Sequence, residues 1–251
     1  MTHAFSAADV EAFELAAARA WPALRVEHVA GWRVRLSGGG TRRANSVLPI
    51  GYDGSDVETA VGRIEELYRT QKTRCYFQVS SASTPADLDA RLAARGYAIE
   101  EPCRLMAKRL SPMPMPDTVT VTDAPTGAWL SIYTEPLDDA RKAAAPAVLA
   151  GMPAPKAYFT VVRRGESQAS ALGVLDPATG IVVVECVATR SHMRRTGAAR
   201  LVTDGLEAWA AERGGRFAVL QVVETNQAAV TLYERRGYAV AGRYHYRWKA
   251  V

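Results

Sequence analysis

Apolar positions along this chain follow two periods, one typical of helices and one typical of strands. Over residues 6–20 and 56–70 they recur about every three to four positions, which places them on one face of a helix. Shorter runs rich in valine and aromatic residues lie between such segments, bounded by glycine, proline or asparagine. Helices that alternate with strands in this way predict an α/β fold with a mixed sheet.

The first half of the chain is predicted to contain three helices and four strands. The helices are expected over Ser6–Ala20, Asp56–Thr70 and Thr84–Arg95, and the strands over Gly31–Leu36, Arg43–Pro49, Cys75–Ser80 and Tyr97–Leu110. Thr84 is expected to cap the third of these helices.

The second half is predicted to contain six strands and at least two helices. Strands are expected over Thr118–Thr122, Tyr158–Arg163, Ala169–Leu175, Ile181–Thr189, Phe217–Val223 and Tyr238–Lys249, and helices over Gly197–Arg213 and Asn226–Arg236. Further helical segments are expected between 122 and 158. Ala143–Pro155 carries three prolines and a glycine, so a broken helix or a loop is expected there.

A proline-rich segment at Ser111–Pro116 separates two halves that resemble each other. Its prolines forbid a continuing helix and favour an extended linker. Leu92–Tyr97 in the first half matches Tyr233–Tyr238 in the second, and each follows a strand, a turn and a helix. We therefore expect two similar folds in tandem, with the domains at residues 1–110 and 118–251 and the linker at 111–117.

Composition places the chain among globular proteins of moderate charge. It has 251 residues, 48% of them hydrophobic and 23% charged, and a net charge of +5. No apolar stretch approaches the ~20 residues of a membrane span, and the N-terminus has no signal-peptide pattern. Three cysteines without metal-ligand spacing predict reduced thiols and no metal. We therefore expect a cytoplasmic protein without membrane partners. Because the basic residues are scattered, we expect no nucleic-acid partner either.

The strongest chemical signal lies at Arg194–Ala199, between a predicted strand and a predicted helix. The first turn of a helix leaves backbone N–H groups unpaired, and the helix dipole adds partial positive charge there. The first acid of this helix is Asp204, whereas Arg194 and Arg195 add positive charge at its beginning. These features predict a site for a phosphate group brought by a ligand, although the loop is neither a P-loop nor a full Gly-x-Gly-x-x-Gly motif.

After the linker the chain carries a series of motifs, in the order Val184–Thr189, Arg194-x-x-Gly-x-Ala199, Asn226, Tyr233 and Arg236-Gly-Tyr238. This order of motifs resembles the GNAT superfamily of acyl-CoA-dependent N-acyltransferases. The resemblance covers roughly residues 118–249 well and the first half only as a degenerate copy. It implies a complete GNAT fold in the second half, acetyl-CoA as co-substrate and an amine as acceptor. Ala199 stands where the family's loop has its second glycine.

The resemblance also implies which residues contact the co-substrate. A strand that splays from its neighbour is implied to offer backbone groups to the pantetheine arm, at Val187, Ala188 and Thr189. The loop is implied to bind the pyrophosphate through backbone N–H groups, and its residues are Arg194, Arg195, Thr196, Gly197, Ala198, Ala199 and Arg200. Asn226 is implied to hydrogen-bond the pantetheine, and Tyr233 to face the sulfur. Since only one such loop exists, we expect one acetyl-CoA per chain.

Acyl transfer to an amine requires a neutral amine and a proton for the departing thiolate. Tyr233, a residue type whose pKa is ordinarily ~10, is expected to be the acid, with simple core packing as the alternative. Glu185, an acid in an apolar run, is the first candidate for the base, directly or through water; an ion pair on the sheet is its alternative. Glu224 is a second candidate base or a solvated strand end. His192 is expected to be exposed, and Cys186 to be a small hydrophobic residue rather than a nucleophile.

These expectations describe direct acetyl transfer to a primary amine in a ternary complex. A small-molecule acceptor is preferred, because the degenerate first half would wall the acceptor cleft rather than leave an open groove for a peptide. A protein lysine or N-terminal acetyltransferase is the enzymatic alternative, and a non-catalytic CoA-binding module or a nucleic-acid-binding protein are alternatives of other classes. A monomer or a homodimer is expected, since an internal duplication can substitute for a dimer.

Overall fold

The computed structural model of the protein describes residues 5–38 and 40–251, which form two compact units. The first unit comprises the described residues up to Met106 together with Gln221–Val230 and Val240–Val251. The second unit comprises Ala107–Leu220 and Thr231–Ala239. Each unit therefore includes residues from both halves of the sequence. The predicted domain boundaries at 110 and 118 stay a prediction about the halves themselves.

The first unit is built on a mixed sheet with helices. Its helices are α1 (Ala7–Ala20), α2 (Val57–Thr70) and α3 (Leu88–Ala94). Its strands are β1 (Arg25–Val29), β2 (Trp32–Leu36), β3 (Val47–Leu48), β4 (Cys75–Ser80), β5 (Ala98–Arg109, of which the residues to Met106 belong here) and β11 (Ala239–Lys249, from Val240). The strand order is β1-β2-β3-β4-β11-β5, and β3 runs parallel to β4 whereas β11 runs antiparallel to it.

The first unit has two buried clusters: a small one joins α1 to the β3 segment, and the larger one lies where alternate strand residues meet α2 and α3. Its largest fully buried members are Trp32, Ile64, Tyr68, Phe77 and Leu88. The indole of Trp32 packs edge-on against the ring of Phe77, with centroids 6.0 Å apart. The strand residues at every second position and the apolar residues at helical spacing on α2 both point into this cluster.

The second unit is also a mixed sheet, with α6 packed on it. Its helices are α4 (Gly127–Tyr133), α5 (Asp139–Gly151), α6 (Ala198–Glu212) and part of α7 (Gln227–Arg235). Its strands are β6 (Val119–Thr122), β7 (Lys156–Arg163), β8 (Glu166–Asp176), β9 (Ile181–Thr189) and β10 (Phe217–Val223, as far as Leu220). The order is β10-β9-β8-β7-β6, antiparallel except for the parallel pair β9–β10. The α/β class with mixed sheets is thereby confirmed.

In each unit, a buried glutamate on a helix accepts hydrogen bonds from an arginine, a tyrosine and a lysine. In the first unit Glu65 on α2 accepts two hydrogen bonds from Arg95, at 3.1 and 2.9 Å. The hydroxyl of Tyr97 and the ammonium of Lys249 also donate to its Oε1, each at 3.2 Å. Arg95 and Tyr97 belong to the motif that the two sequence halves share.

The second unit repeats this arrangement around Glu207 on α6. Arg236 donates to Glu207 Oε1 at 2.7 Å, and the hydroxyl of Tyr238 donates to the same oxygen at 3.0 Å. Lys108 donates to Oε2 at 2.6 Å. The arginine and the tyrosine of the shared motif therefore serve the same structural purpose twice, which is to satisfy one buried carboxylate on the packed helix.

Most predicted elements are confirmed, and β4, β9 and β10 begin and end at the predicted residues. The strand predicted over Arg43–Pro49 is mostly wrong. A 3₁₀ turn occupies Arg42–Ala44, and only Val47–Leu48 pair as a strand. The Asn45 side chain accepts the Ser37 N–H at 3.0 Å, so this residue closes a turn instead of extending a ladder.

Two helix predictions and one omission also need correction. The third helix begins at Leu88 after Asp87, not at Thr84, because Leu88 N–H turns back to the carbonyl of Pro85 and makes a separate turn first. Helix α5 continues through Pro146 to Gly151, since a proline removes only one donor and the helix is otherwise rich in alanine. Strand β1 was not predicted, because its residues are largely exposed and lack a clear apolar alternation.

Candidate active site

The helix that follows β9 begins without any cap from the protein itself. Gly197 precedes α6 with a φ of +82°, no side chain caps the helix, and its first turn contains no acid. Leu201 N–H is the first to bond back, to the carbonyl of Gly197. Among the described residues, the backbone N–H groups from Arg195 to Arg200 have no acceptor. These groups and the helix dipole form the positive end that the sequence predicts.

The corresponding helix of the first unit, α2, begins differently. Asp56 caps α2, and its carboxylate accepts the N–H of Thr59 at 2.8 Å. This hydrogen bond lowers the pKa of Asp56 below its ordinary value, so the cap carries a negative charge. The first unit therefore supplies its own anion at α2, whereas α6 has none.

Space and charge around the loop both suit an anion. A Cβ built on Gly197 would meet no atom within 4 Å, so the glycine faces open space. Arg194 and Arg195 are exposed, and Arg195 holds a left-handed φ of +64°. Left-handed residues in a turn of this kind are typical of anion-binding nests of backbone N–H groups. The loop is also tied down, because Arg163 donates to the Thr196 carbonyl and hydroxyl at 3.2 and 3.0 Å.

A bulge interrupts β9 in front of this loop. Glu185 pairs with Leu172 and Ala188 pairs with Ser170, so β9 advances three residues where β8 advances two. Cys186 absorbs the extra residue with a φ of +53°. After the bulge, Val187, Ala188 and Thr189 are half-buried, whereas the preceding residues of the strand are buried. Bulges redirect side chains and backbone groups and are common next to active sites.

Strand β9 also parts from β10 at this point. Within the described residues, the parallel register joins Ile181–Val183 to Phe217–Val219 and ends there, although β9 continues to Thr189. The residues predicted to meet the pantetheine arm therefore lie on the part of β9 beyond its ladder with β10. The opposite ladder with β8 persists to Thr189.

A buried tryptophan on α4 supports the strand opposite the bulge. Trp129 is fully buried, and its indole N–H donates to the carbonyl of Ala171 at 2.9 Å. Ala171 lies between Ser170 and Leu172, where the β8–β9 register shifts. The indole thus satisfies a buried strand carbonyl at the bulge, which would otherwise cost free energy.

Glu185 and Tyr233, the two predicted catalytic residues, are both buried and interact electrostatically. Glu185 is 4% exposed and Tyr233 is 6% exposed. Burial raises the pKa of Tyr233 above its ordinary value, and the negative charge of Glu185 raises it further. The hydroxyl is therefore protonated at neutral pH and available as a donor. The Tyr233 ring packs edge-on against Tyr238, with centroids 5.4 Å apart.

Ion pairs between α6 and the end of α7 hold the Tyr233 backbone in place. Arg236, three residues after Tyr233, pairs with Asp204 at 2.5 Å in addition to Glu207. Tyr238 N–H closes the turn by donating to the carbonyl of Tyr233 at 3.0 Å. The Arg-Gly-Tyr motif is structural, and its function is to dock the helix that carries the tyrosine.

The remaining candidates from the sequence have defined surroundings. Asn226 caps α7, since its Oδ1 accepts the N–H of Ala229 at 3.2 Å. Glu224 pairs with Arg104 and Arg243, which suits a structural ion pair more than a free base. His192 is exposed as expected and contacts Glu166, with 2.7 Å between Nε2 and Oε1. Cys186 forms no disulfide and is half-buried rather than fully buried.

Sequence reasoning missed the residues that support the loop and its strand from α4 and the turn after it, namely Trp129, Ser131 and Glu135. They lie far from the loop in sequence or look like ordinary surface residues, so no local pattern identifies them. In the part of the chain that the structure describes, no cluster of histidine, cysteine and acidic residues could hold a metal ion. No helix in that same part is long and apolar enough to cross a membrane.

Comparison with known proteins gives a family match along nearly the whole chain. The matching family model is described as "Probable histone acetyltransferase Rv0428c C-terminal" and covers residues 7–247. The N-acetyltransferase YobR of Bacillus subtilis, described as uncharacterized, is 28% identical over 251 residues, which cover 96% of this chain and 99% of YobR. Rv0428c of Mycobacterium tuberculosis, described as a probable histone acetyltransferase, is 28% identical over 236 residues, covering 92% of this chain and 71% of that protein.

Solved structures share the fold. A GCN5-related N-acetyltransferase from Kribbella flavida superposes with a TM-score of 0.73, covering 98% of this chain and 96% of that one. The two sequences are 19% identical, so the likeness concerns the fold.

Proposed function

This chain belongs to the Rv0428c C-terminal acetyltransferase family and is a GNAT-type N-acetyltransferase, and from that premise we propose that it acetylates a primary amine of a small molecule with acetyl-CoA. The family match covers residues 7–247, so it includes the first half of the chain as well as the motifs of the second half. Members of the GNAT superfamily use acetyl-CoA as co-substrate. The proposal assigns the co-substrate, the acceptor class and the catalytic groups of this particular chain.

The observation that carries the proposal is the uncapped beginning of α6. Unpaired N–H groups from Arg195 to Arg200, two arginines and open space at Gly197 together suit a doubly charged pyrophosphate. An ordinary helix would satisfy these groups with its own side chain, as Asp56 does for α2. The pyrophosphate of acetyl-CoA is the ligand group that fits this end.

The reaction then needs only proximity and two proton transfers. The neutral amine attacks the thioester carbonyl, the C–N bond forms, the C–S bond breaks, and the CoA thiolate leaves with a proton. We assign the half-buried backbone of Val187, Ala188 and Thr189 to the pantetheine arm. The side-chain amide of Asn226 would hydrogen-bond the same arm, and its Oδ1 meanwhile caps α7.

Tyr233 is assigned as the acid and Glu185, or a water that it orients, as the base. The raised pKa of Tyr233 keeps its proton in place until negative charge develops on the sulfur. Because an ordinary thiol has a pKa of ~8.5, the tyrosine is the weaker acid. It therefore first stabilises the developing thiolate as a hydrogen-bond donor, and the proton that it gives to the sulfur is replaced by the one that the base took from the amine. Glu185 is a buried carboxylate whose charge acts on that tyrosine, and a buried acid of this kind is typical of functional sites.

We also propose that the chain is a tandem of two GNAT-like folds and binds one acetyl-CoA. Support comes from the two buried glutamates, Glu65 and Glu207, each of which accepts from an arginine, a tyrosine and a lysine in the same way. Of the two helices that correspond between the units, α6 begins without a cap, whereas the carboxylate of Asp56 caps the beginning of α2. A cofactor in the first unit would have to displace this carboxylate.

A protein lysine is the second candidate acceptor. It is favoured by the description of the related Rv0428c as a probable histone acetyltransferase. The net charge of +5 argues against it, because histone tails are basic and would be repelled. We therefore retain the small-molecule amine as the first choice.

A thiol-release assay with acetyl-CoA tests the proposal. The purified chain would be offered aminoglycosides, amino acids and polyamines in one set, and lysine-containing and N-terminal peptides in a second set. Turnover with a member of the first set and little with the second supports the proposal. Turnover confined to the peptides would indicate a protein acetyltransferase instead. Binding of acetyl-CoA without turnover on any amine would indicate a non-catalytic CoA-binding module.

A further inference from the structure

Ser131 on α4 and Glu135, two residues after that helix, hold the beginning of the loop 190–197 through hydrogen bonds. Glu135 Oε1 accepts the backbone N–H of Ser191 at 2.9 Å, and Oε2 lies 3.5 Å from the guanidinium of Arg190. The hydroxyl of Ser131, one helical turn earlier, accepts from Arg190 at 2.7 Å. A hydroxyl on α4 and a carboxylate in the turn that follows it thus hold two consecutive residues at the beginning of the loop.

Arg190 connects this helix to the sheet. Its Nε donates to the carbonyl of Ser167 at 2.8 Å, and its backbone N–H donates to the carbonyl of Gln168 at 3.0 Å. The Met193 N–H in turn donates to the Arg190 carbonyl at 2.9 Å and begins the turn that leads to the uncapped helix. Arg190 is therefore fully used in internal contacts and is not free to bind a phosphate itself.

The helix that provides these contacts is itself rigidly placed. Trp129 is fully buried, bonds to the Ala171 carbonyl and packs edge-on against Tyr158, with centroids 5.0 Å apart. The hydrogen bond from Ser191 lowers the pKa of Glu135, so this carboxylate is charged throughout the neutral range. A charged acceptor makes a stronger hydrogen bond than a neutral one.

We propose that Glu135, with Ser131, is a positioning residue that holds Arg190 and Ser191 so that the loop presents its N–H groups to the pyrophosphate. This inference rests on the proposed function, because it assigns the pyrophosphate to the same loop. Glu135 touches neither substrate, and it acts by removing the freedom of the loop before the co-substrate binds. Its loss should weaken only those ligands that reach the loop.

Calorimetric titration with CoA and with pantetheine separates this role from a general structural one. Pantetheine lacks the pyrophosphate and the nucleotide, so it does not contact the loop. Glu135→Ala should raise the Kd for CoA about tenfold, the factor that corresponds to the loss of one hydrogen bond to a charged group. It should leave the Kd for pantetheine unchanged. In turnover it should raise the KM for acetyl-CoA while leaving kcat near the wild-type value.

Three further variants, one of them a control, complete the test. Glu135→Gln keeps an oxygen that accepts the Ser191 N–H and should restore part of the affinity for CoA, and Ser131→Ala should raise the Kd in the same direction by a smaller factor. Glu212→Ala removes an exposed carboxylate that pairs only with Arg213 on the far end of α6 and serves as the control. An unchanged CoA affinity in both Glu135→Ala and Ser131→Ala would overturn this inference alone, as would equal losses for CoA and pantetheine. A wild-type protein that binds no CoA would overturn the proposed function as well.

Discussion

Gly205 on α6 lies so close to Val119 of β6 that a Cβ built on the glycine would stand 2.6 Å from Cγ1 of the valine. A glycine inside a helix ordinarily costs about 1 kcal/mol relative to alanine. The buried valine cannot move aside as a flexible side-chain end can. We therefore expect Gly205→Ala to destabilise the protein by about 1–3 kcal/mol, because the overpacking exceeds the gain in helix propensity. Urea unfolding measures the difference.

Gly62 on α2 provides the matched control for this prediction. A Cβ at Gly62 would meet only the terminal Nη2 of Arg95, at an ordinary 3.6 Å. Gly62→Ala should accordingly stabilise the protein by about 0.5–1 kcal/mol, with the opposite sign to Gly205→Ala. If both substitutions stabilised the protein, the result would contradict the close approach of Gly205 on α6 to Val119 on β6.

Tyr233→Phe tests the catalytic acid. Removing the hydroxyl should lower kcat about 100-fold, since acid catalysis contributes factors of this order. The KM for acetyl-CoA should change little. The neighbouring Tyr238→Phe is the control, because its hydroxyl donates only to Glu207 and its loss should cost about 1 kcal/mol of stability without affecting kcat. Equal kcat values for Tyr233→Phe and the wild type would show that Tyr233 only packs in the core and is not the acid.

Glu185→Gln tests the base through the pH dependence of turnover. At neutral pH the amine acceptor carries a proton that a base must remove, so kcat/KM should fall about 100-fold. At a pH above the amine's own pKa most of the acceptor is already neutral, and the variant should recover most of the wild-type rate. A loss of the same size at every pH would indicate that Glu185 is structural.

Glu14 makes the stability of the first unit depend on pH. The side chain is 1% exposed, and burial raises its pKa from 4.5 to about 7. A carboxyl with a raised pKa holds its proton more tightly when folded, so its contribution to stability is complete below pH 4.5 and is lost as pH rises through about 7. The loss should be on the order of 3 kcal/mol between pH 5 and pH 8.

Glu14→Gln should remove much of this pH dependence. The neutral amide has nearly the same shape, so the variant should resemble the wild type at pH 5 and should be more stable than the wild type at pH 8. Urea unfolding at both pH values measures the two differences. Identical slopes of stability against pH in the two proteins would show that Glu14 is not the titrating group.

The sequence was sufficient for the elements that have a strong apolar period. Strands β4, β9 and β10 have the predicted bounds because each is a mostly apolar run between turn residues. It was insufficient for β1, which is largely exposed, and for Arg42–Ala44, where the Asn45 side chain turns the chain. Edge strands and side-chain turns depend on tertiary contacts that no local window contains.

The same limit applies to the candidate site. The lack of an acid in the first turn of α6 is a local property and could be seen in the sequence. The bulge at Cys186 could not, because it is defined by the register with β8 rather than by the residue. The contacts of Glu135 and Trp129 with residues some 40 to 60 positions away likewise depend on the folded chain.

The binding of acetyl-CoA to a variant at Gly197 tests the central claim most directly. Gly197→Asp would place a carboxylate at the uncapped helix end, as Asp56 does in the first unit, while aspartate tolerates the left-handed φ better than most residues. Gly197→Asn has almost the same shape without the charge and is the control. Calorimetry should show a Kd for acetyl-CoA about 100-fold higher in Gly197→Asp than in Gly197→Asn, because like charges a few ångströms apart repel strongly. Equal affinities in the two variants would contradict the assignment of this loop to the pyrophosphate.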